Sequence, residues 1–246
     1  MKPFLLLATR PEDVAADGEY EAFLRFGGLR EAELRRVRLE QRPLGDISLD
    51  HYSGLIMGGG PFNSSDPDDA KSDVQRRVES ELAALLDVVV ATDFPMLGAC
   101  YGVGTLGTHE GAVVDRTYSE PVGPVSVTLT DEGRRDPIFG VLPPVFEAFV
   151  GHKEAIRELP PHAVRLASSA TCPVQAFRVG SNVYATQFHP ELDVAGIATR
   201  IDVYKYAGYF APEEAETLKE QVRSSTAEHP PAIVRRFVER YSVSDA

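Results

Sequence analysis

The sequence predicts an α/β fold built on a mostly parallel sheet with helices on both faces. Three observations predict it. Short apolar runs of strand length alternate with segments of helical periodicity. No internal repeat or low-complexity linker interrupts that alternation. The 246 residues, 43% of them hydrophobic, are enough to bury a sizeable core.

The elements follow in order. Phe4–Ala8 reads as a first buried strand, followed by a helix around Glu19–Phe26 that Gly27-Gly28 ends. Leu34–Leu39 reads as a second strand, with Val37 and Leu39 alternating against Arg36 and Arg38. Ser53–Met57 is a short buried strand that runs into Gly58-Gly59-Gly60-Pro61. After a turn-like acidic stretch at Asp66–Asp69, Val74, Val78, Leu82, Leu85 and Leu86 give Asp73–Leu86 a helical period. Pro95–Ala99 is the next strand and stops at Cys100, and Gly102, Gly104 and Gly107 open the helix after it. The second half is richer in strands: Val122–Leu129, Phe146–Val150, Val164–Ser168, Val174–Val179 and Val183–Ala185. Pro212–Leu218 and Ala232–Tyr241 read as helical, with Glu213–Glu220 a solvated face. The chain reads as one domain, 1–246, with a C-terminal helical extension over about 200–246.

A formal net charge of −12 repels phosphates and argues against nucleic-acid binding. No apolar run nears the roughly 20 residues that cross a bilayer. The N-terminal apolar stretch is too short for a signal peptide, and Arg10 stands where a small-residue cleavage site belongs. A cytoplasmic protein is expected. Its two cysteines, Cys100 and Cys172, make no disulfide framework. No HxH or HExxH spacing occurs, and His152 and His162 lack partners at ligand spacing, so neither a metal nor another cofactor is expected.

Gly98-Ala99-Cys100-Tyr101-Gly102 fits a nucleophile elbow of the form G-x-C-x-G. The strained strand-to-helix turn points the sulfur outward, small flanking residues let backbone pack around it, and the helix dipole favours thiolate. A buried core cysteine between turn glycines satisfies the same pattern. The apolar strand before it and the glycine-rich helix start after it favour the elbow. Cys172 lies in the turn-like Ser168–Pro173 and reads as structural. A cysteine nucleophile needs a base. His189 ends a strand, Pro190 fixes the backbone after it, and Glu191 stands two residues on, where a carboxylate can hold the imidazole in its productive tautomer.

Together with Gln187-Phe188-His189-Pro190-Glu191, the elbow resembles a class I (triad-type) glutamine amidotransferase domain. It is most similar to the glutaminase domain of GMP synthase and its free-standing relatives, over about Ser53 to Ile197. The resemblance implies a doubly wound, flavodoxin-like fold with an additional small antiparallel sheet. It implies hydrolysis of the glutamine side-chain amide through a γ-glutamyl thioester, with ammonia passed to a synthase site. Gly58-Gly59-Gly60-Pro61 matches the family's oxyanion loop, so the N–H groups of Gly60 and Tyr101 are the expected oxyanion donors, with Gly59 beside the substrate. Without the resemblance the same residues suit a plain glycine turn.

Val150-Gly151-His152-Lys153-Glu154 falls where relatives carry a Ser-His-Gly-Asp type segment that contacts bound glutamine, which implies that His152 lines the pocket. Two departures alter the grip on substrate. Gly104 replaces the glutamine of C-x-G-x-Q, and Lys153 replaces a glycine. Lys153 could meet an α-carboxylate or point into solvent.

Three functions remain open: a glutaminase feeding ammonia to a separate synthase chain, a free-standing hydrolase of γ-glutamyl amides or peptides, and a non-enzymatic module. The first is favoured, and no SGGxDS motif follows in the chain, so a synthase would be a separate polypeptide. The Tyr-rich stretch around Tyr204, Tyr206 and Tyr209 reads as packing, with a lid or an interface as alternatives.

Overall fold

The computed structural model describes residues 1–244; Asp245 and Ala246, the end of the expected extension, lie outside them. The first half runs β1 (Phe4–Ala8), α1 (Asp13–Gly27), β2 (Leu34–Arg38), β3 (Gly54–Met57), α2 (Asp73–Ala91), β4 (Met96–Ala99) and α3 (Tyr101–His109). The second half runs β5 (Val113–Asp115), β6 (Glu120–Leu129), α4 (Asp131–Arg135), β7 (Val145–His152), β8 (Ala155–Glu158), β9 (Val164–Ser169), β10 (Ala176–Val179) and β11 (Val183–Thr186). The helices α5 (Val194–Val203), α6 (Ala215–Arg223) and α7 (Pro231–Tyr241) follow.

The large sheet has the order β2-β1-β3-β4-β11-β10-β9-β6-β7. Its half from β2 to β11 is parallel throughout. From β11 onward the pairings are antiparallel. A second, two-stranded antiparallel sheet joins β5 to β8. Strands β1, β3 and β4 are buried along their whole length, as parallel strands covered on both faces must be. Their side chains divide by the two-residue period. Phe4, Leu6, Ile56 and Leu97 enter one core with Phe23 of α1 and Phe237 of α7. Leu5, Leu7, Leu55, Met57 and Met96 enter the other with Val78, Leu82 and Leu86 of α2. Each such fully buried side chain contributes about 1.5–3 kcal/mol.

Some boundaries differ from expectation for physical reasons. Helix α1 starts at Asp13 because its first turns bury Ala15 and Ala16, residues too small to mark a periodic stripe. Gly28, at φ 66°, ends it. Helix α2 is capped by the Ser72 side chain, which accepts from the Gln75 N–H. Val74 proves 38% exposed and lies off the buried stripe. The elements β5, β8, α4 and α5 were not legible; three of them have five residues or fewer. Helix α7 is part of the main core rather than an appendage, its Phe237 ring lying 5.9 Å from that of Phe4.

Because β3, β4 and β11 are parallel neighbours, their carboxyl ends open at one edge of the sheet. Met57 pairs with Gly98 and Thr186 with Ala99. The loops carrying Gly58–Gly60, Cys100 and His189 therefore emerge side by side, in the crevice where open α/β sheets take ligands.

Candidate active site

Cys100 sits between β4 and α3 with φ 51° and ψ −88°, a conformation that costs a non-glycine residue on the order of 1–3 kcal/mol. The strain is held from both sides. The Cys100 N–H donates to Thr186 O at 2.7 Å. Gly98 and Gly102 approach so closely that a Cβ on Gly98 would stand 3.1 Å from the Gly102 Cα. Burial works against the thiolate that placement at a helix start favours. Burial pushes the Cys100 thiol up to about 12, outweighing the pull of Arg10 and Arg200.

His189 lines the same cavity as Cys100, together with Arg10, Gly60, Arg200 and Tyr204. Its Nδ1 bonds Glu191 Oε1 at 2.8 Å, and both side chains are buried. Burial lowers the His189 pKa despite Glu191, which keeps the ring neutral at neutral pH. Burial alone would raise Glu191, but His189 and Arg200 hold it down at about 2. With Nδ1 turned to the carboxylate, the donor at that nitrogen is fixed and Nε2 is the free acceptor.

Behind the pair lies a buried network that sequence spacing did not reveal. Arg200 Nη2 reaches Glu191 Oε1 at 3.3 Å and Glu19 Oε1 at 3.4 Å. Glu19 also accepts from Arg10 Nε at 2.9 Å and from the Gly59 N–H at 3.2 Å. Arg10 Nη1 donates to the Tyr204 hydroxyl at 3.0 Å. Burial opposes charge on Arg10, but Glu19 and Tyr204 prevail and raise its pKa; Arg200 is lowered by burial and by Arg10. The one sequence signal was Arg10 itself, a cation directly beyond the carboxyl end of a buried strand.

Among the described residues the N–H groups of Gly60 and Tyr101 have no hydrogen-bond partner, and Tyr101 heads α3, where such donors are free. Both residues border a second cavity that also meets Cys100. Gly59 behaves differently from expectation. Its N–H is spent on Glu19, it lines neither cavity, and a Cβ there would lie 2.7 Å from His189 Cε1.

The second cavity is lined by Gly104, His152, Lys153, Glu154 and Gln187. Glu154, 7% exposed, accepts from the backbone N–H groups of Ser64 at 2.8 Å and Ser65 at 2.7 Å. Its carboxylate takes the space a side chain on Gly104 would need: a Cβ there would collide with Glu154 Oε1 and lie 2.8 Å from Ser64 Oγ. Lys153 reaches from this cavity toward the 204–209 stretch. Its Nζ donates to Ala207 O at 3.1 Å and lies 4.5 Å from the Tyr209 ring centre. Residues 204–209 are thereby tied across the site, with Tyr204 and Tyr209 lining the first cavity while Tyr206 is 83% exposed.

The His152 ring is fixed between Glu154 O and Glu120 Oε2, each at 2.8 Å. Glu154 is its near neighbour in the chain, but Glu120 comes from β6, 32 positions away, so spacing hid that carboxylate. A carboxylate oxygen of Glu120, a ring nitrogen of His152 and the Cys172 sulfur lie within 4.8 Å of one another, a donor set of the kind that holds a metal. Glu120 is, however, already satisfied by His152, Gln175, Ser169 and Thr171, which accounts for the cluster without an ion. Among the described residues no helix is long and apolar enough to cross a membrane.

Residues 21–200 match the family model of class-I glutamine amidotransferases. A subunit of the glutamine-hydrolyzing GMP synthase of Thermoplasma acidophilum is 32% identical over 146 residues, 59% of this chain and 66% of that protein. The corresponding subunit from Thermococcus kodakarensis is 31% identical over 164 residues, 66% of this chain and 78% of the other. This chain thus spans just under two thirds of the Thermoplasma protein. A glutamine amidotransferase structure from Thermotoga maritima superposes with a TM-score of 0.78 at 20% identity, covering 98% of both chains, which is a likeness of fold.

Proposed function

We propose that this chain, which belongs to the class I glutamine amidotransferase family, hydrolyses the side-chain amide of glutamine on Cys100 and releases ammonia for a separate synthase. The observation that carries the reading is the strained Cys100, sharing one cavity with a His189 whose Nδ1 is held by Glu191 at 2.8 Å. Its relatives are named as one subunit of a GMP synthase, which supports a synthase on another chain.

Cys100 attacks the amide carbon and His189 Nε2 takes the thiol proton. Burial favours the neutral form of both groups before substrate binds. Glu191 steadies the imidazolium that forms. The oxyanion lies against the N–H groups of Gly60 and Tyr101, each such donor lowering the barrier by ~3 kcal/mol. His189 returns the proton to the departing nitrogen, ammonia leaves, and water cleaves the γ-glutamyl thioester to glutamate. Glu154, at the rim of the second cavity, faces the amino-acid end of the substrate and meets its α-ammonium by charge, standing in for the neutral glutamine that Gly104 replaces.

The test is incubation of the purified protein with glutamine, following ammonia and glutamate, with mass spectrometry of Cys100 for a γ-glutamyl adduct. Turnover with the adduct on Cys100 is expected. No turnover and no adduct, alone or with a synthase partner, overturns the reading.

A further inference from the structure

We propose that the cavity on the His189 side of Cys100 is a leaving-group subsite for an amino acid, so that γ-glutamyl peptides with an aliphatic second residue are substrates alongside glutamine. The proposal rests on the glutaminase reading and names a further substrate class for the same site.

Cys100, Gly60, Gly151 and Tyr209 border both cavities, so the nucleophile stands between them. The second cavity, with Tyr101 and Glu154, takes the γ-glutamyl half. The departing nitrogen therefore points into the first, toward the histidine that must protonate it. Ammonia needs nothing there but room. The cavity is instead walled by Val122, Val150, Leu192 and Ile197 and floored by Arg10. Its cationic floor disfavours an ammonium guest and suits a leaving amine that carries a carboxylate.

Arg10 is the receptor that this chemistry requires. It is 4% exposed. Its Nε is committed to Glu19 and its Nη1 to the Tyr204 hydroxyl, while Nη2 has no partner among the described residues. Nη2 and His189 Cε1 press on the same point beside Gly59, which places the free guanidinium donor next to the catalytic ring. Arg200 is placed differently: its Nη2 is shared between Glu19 and Glu191, so its charge is already paired with two carboxylates. The Nη1–Nη2 edge of a guanidinium receives a carboxylate through two parallel hydrogen bonds. Here the Tyr204 hydroxyl holds one of those two positions. The cavity, about 40 Å³, has room for a few water-sized molecules and not for an amino acid as it stands. An amino acid enters by displacing Tyr204 from Arg10, and its carboxylate then takes both nitrogens.

The chemistry balances as for glutamine. The Cys100 sulfur bonds the γ-carbonyl carbon, the carbon–nitrogen bond breaks, and the His189 proton goes to the departing nitrogen. The free amino acid leaves, and water converts the thioester to glutamate.

The test compares γ-glutamyl-valine with γ-glutamyl-isobutylamide, which keeps the aliphatic branch and lacks the carboxylate, and with glutamine. In the wild type kcat/KM for the peptide exceeds that for the isobutylamide by roughly 10- to 100-fold, the range for a charged hydrogen-bonded contact. Arg10→Gln brings that ratio close to one, chiefly through KM, and Arg10→Lys recovers part of it. A purely structural role for Arg10 would lower both amides alike, and that result overturns the proposal. So does a wild type that turns over glutamine but not γ-glutamyl-valine, or both amides equally. Should Arg10→Gln not fold, Tyr204→Phe frees Nη1 and raises the ratio; an unchanged ratio again overturns it. A protein inert to all three compounds, with no adduct on Cys100, removes the glutaminase reading itself.

Discussion

Gly59→Ala tests whether the Gly58–Gly60 loop and the His189 ring are fitted to each other. An alanine Cβ would stand 2.5 Å from Arg10 Nη2 and 2.7 Å from His189 Cε1. The Arg10 terminus can swing aside. The ring has less freedom, since its backbone N–H is bonded to Phe149 O at 3.0 Å and its Nδ1 to Glu191 at 2.8 Å. Ordinary carbon contact needs about 3.5–4.0 Å, so ring and loop must separate by roughly 1 Å. A displacement of that size at a reacting group costs on the order of 100-fold in rate, and the overpacking itself costs about 1–3 kcal/mol of stability. Urea unfolding measures the second effect, and kcat for glutamine, at a temperature where the variant is folded, measures the first. A folded Gly59→Ala protein with kcat within about threefold of wild type would refute the fit, because the lost geometry is worth far more than that.

Cys100→Ser is expected to abolish glutamine turnover and adduct formation, whereas Cys172→Ser, at a buried residue that lines neither cavity, keeps turnover while losing some stability; equal loss of turnover in both would contradict the elbow assignment. Glu154→Gln should raise KM for glutamine more than it lowers kcat, by roughly tenfold for one charge-assisted contact, as steady-state kinetics will show. Lys153→Met removes the bond to Ala207 O and the Tyr209 contact, together worth about 1 kcal/mol, so amide exchange over residues 204–209 should quicken several-fold. The protein should also lose stability as pH rises from 9 toward 12. Burial raises both thiols from 9.0 to about 12 in the folded state, so between those values the unfolded chain has released protons that the folded one retains. Urea midpoints against pH should slope downward there, and a Cys100→Ala, Cys172→Ala double variant should show a flatter profile.

The parallel half of the sheet was legible because its strands are continuous apolar runs, and a strand buried on both faces leaves no other pattern. The antiparallel edge was legible in outline, since β6 and β7 carry several β-branched and aromatic residues and the shorter β9 and β10 keep apolar residues at Val164, Leu166, Phe177 and Val179. What escaped were elements whose residues are small or whose length is a few residues, such as the first turns of α1 and the pair β5 and β8, where periodicity has nothing to register.

At the site the division follows the same logic with distance in place of length. Cys100 with its glycines, and His189 with Glu191, are contiguous words, so the chemistry each needs is spelled within five residues. Glu19 is not. On an amphipathic helix a glutamate reads as solvent-facing, yet Glu19 is 0% exposed and binds Arg10, Arg200 and the Gly59 N–H, residues 9, 181 and 40 positions away. The glycine triplet shows how a legible motif can hide its reason. It reads as a turn that frees donors, but a Cβ on Gly58 would strike the Glu19 carboxylate, on Gly59 the His189 ring, and on Gly60 the Thr9 hydroxyl. Three neighbours, from the segment just after β1, from α1 and from the loop after β11, close on one loop, so its glycines are required by close approach as well as by hydrogen bonding. Such a requirement belongs to the packed chain, and no stretch of sequence around residue 59 contains it.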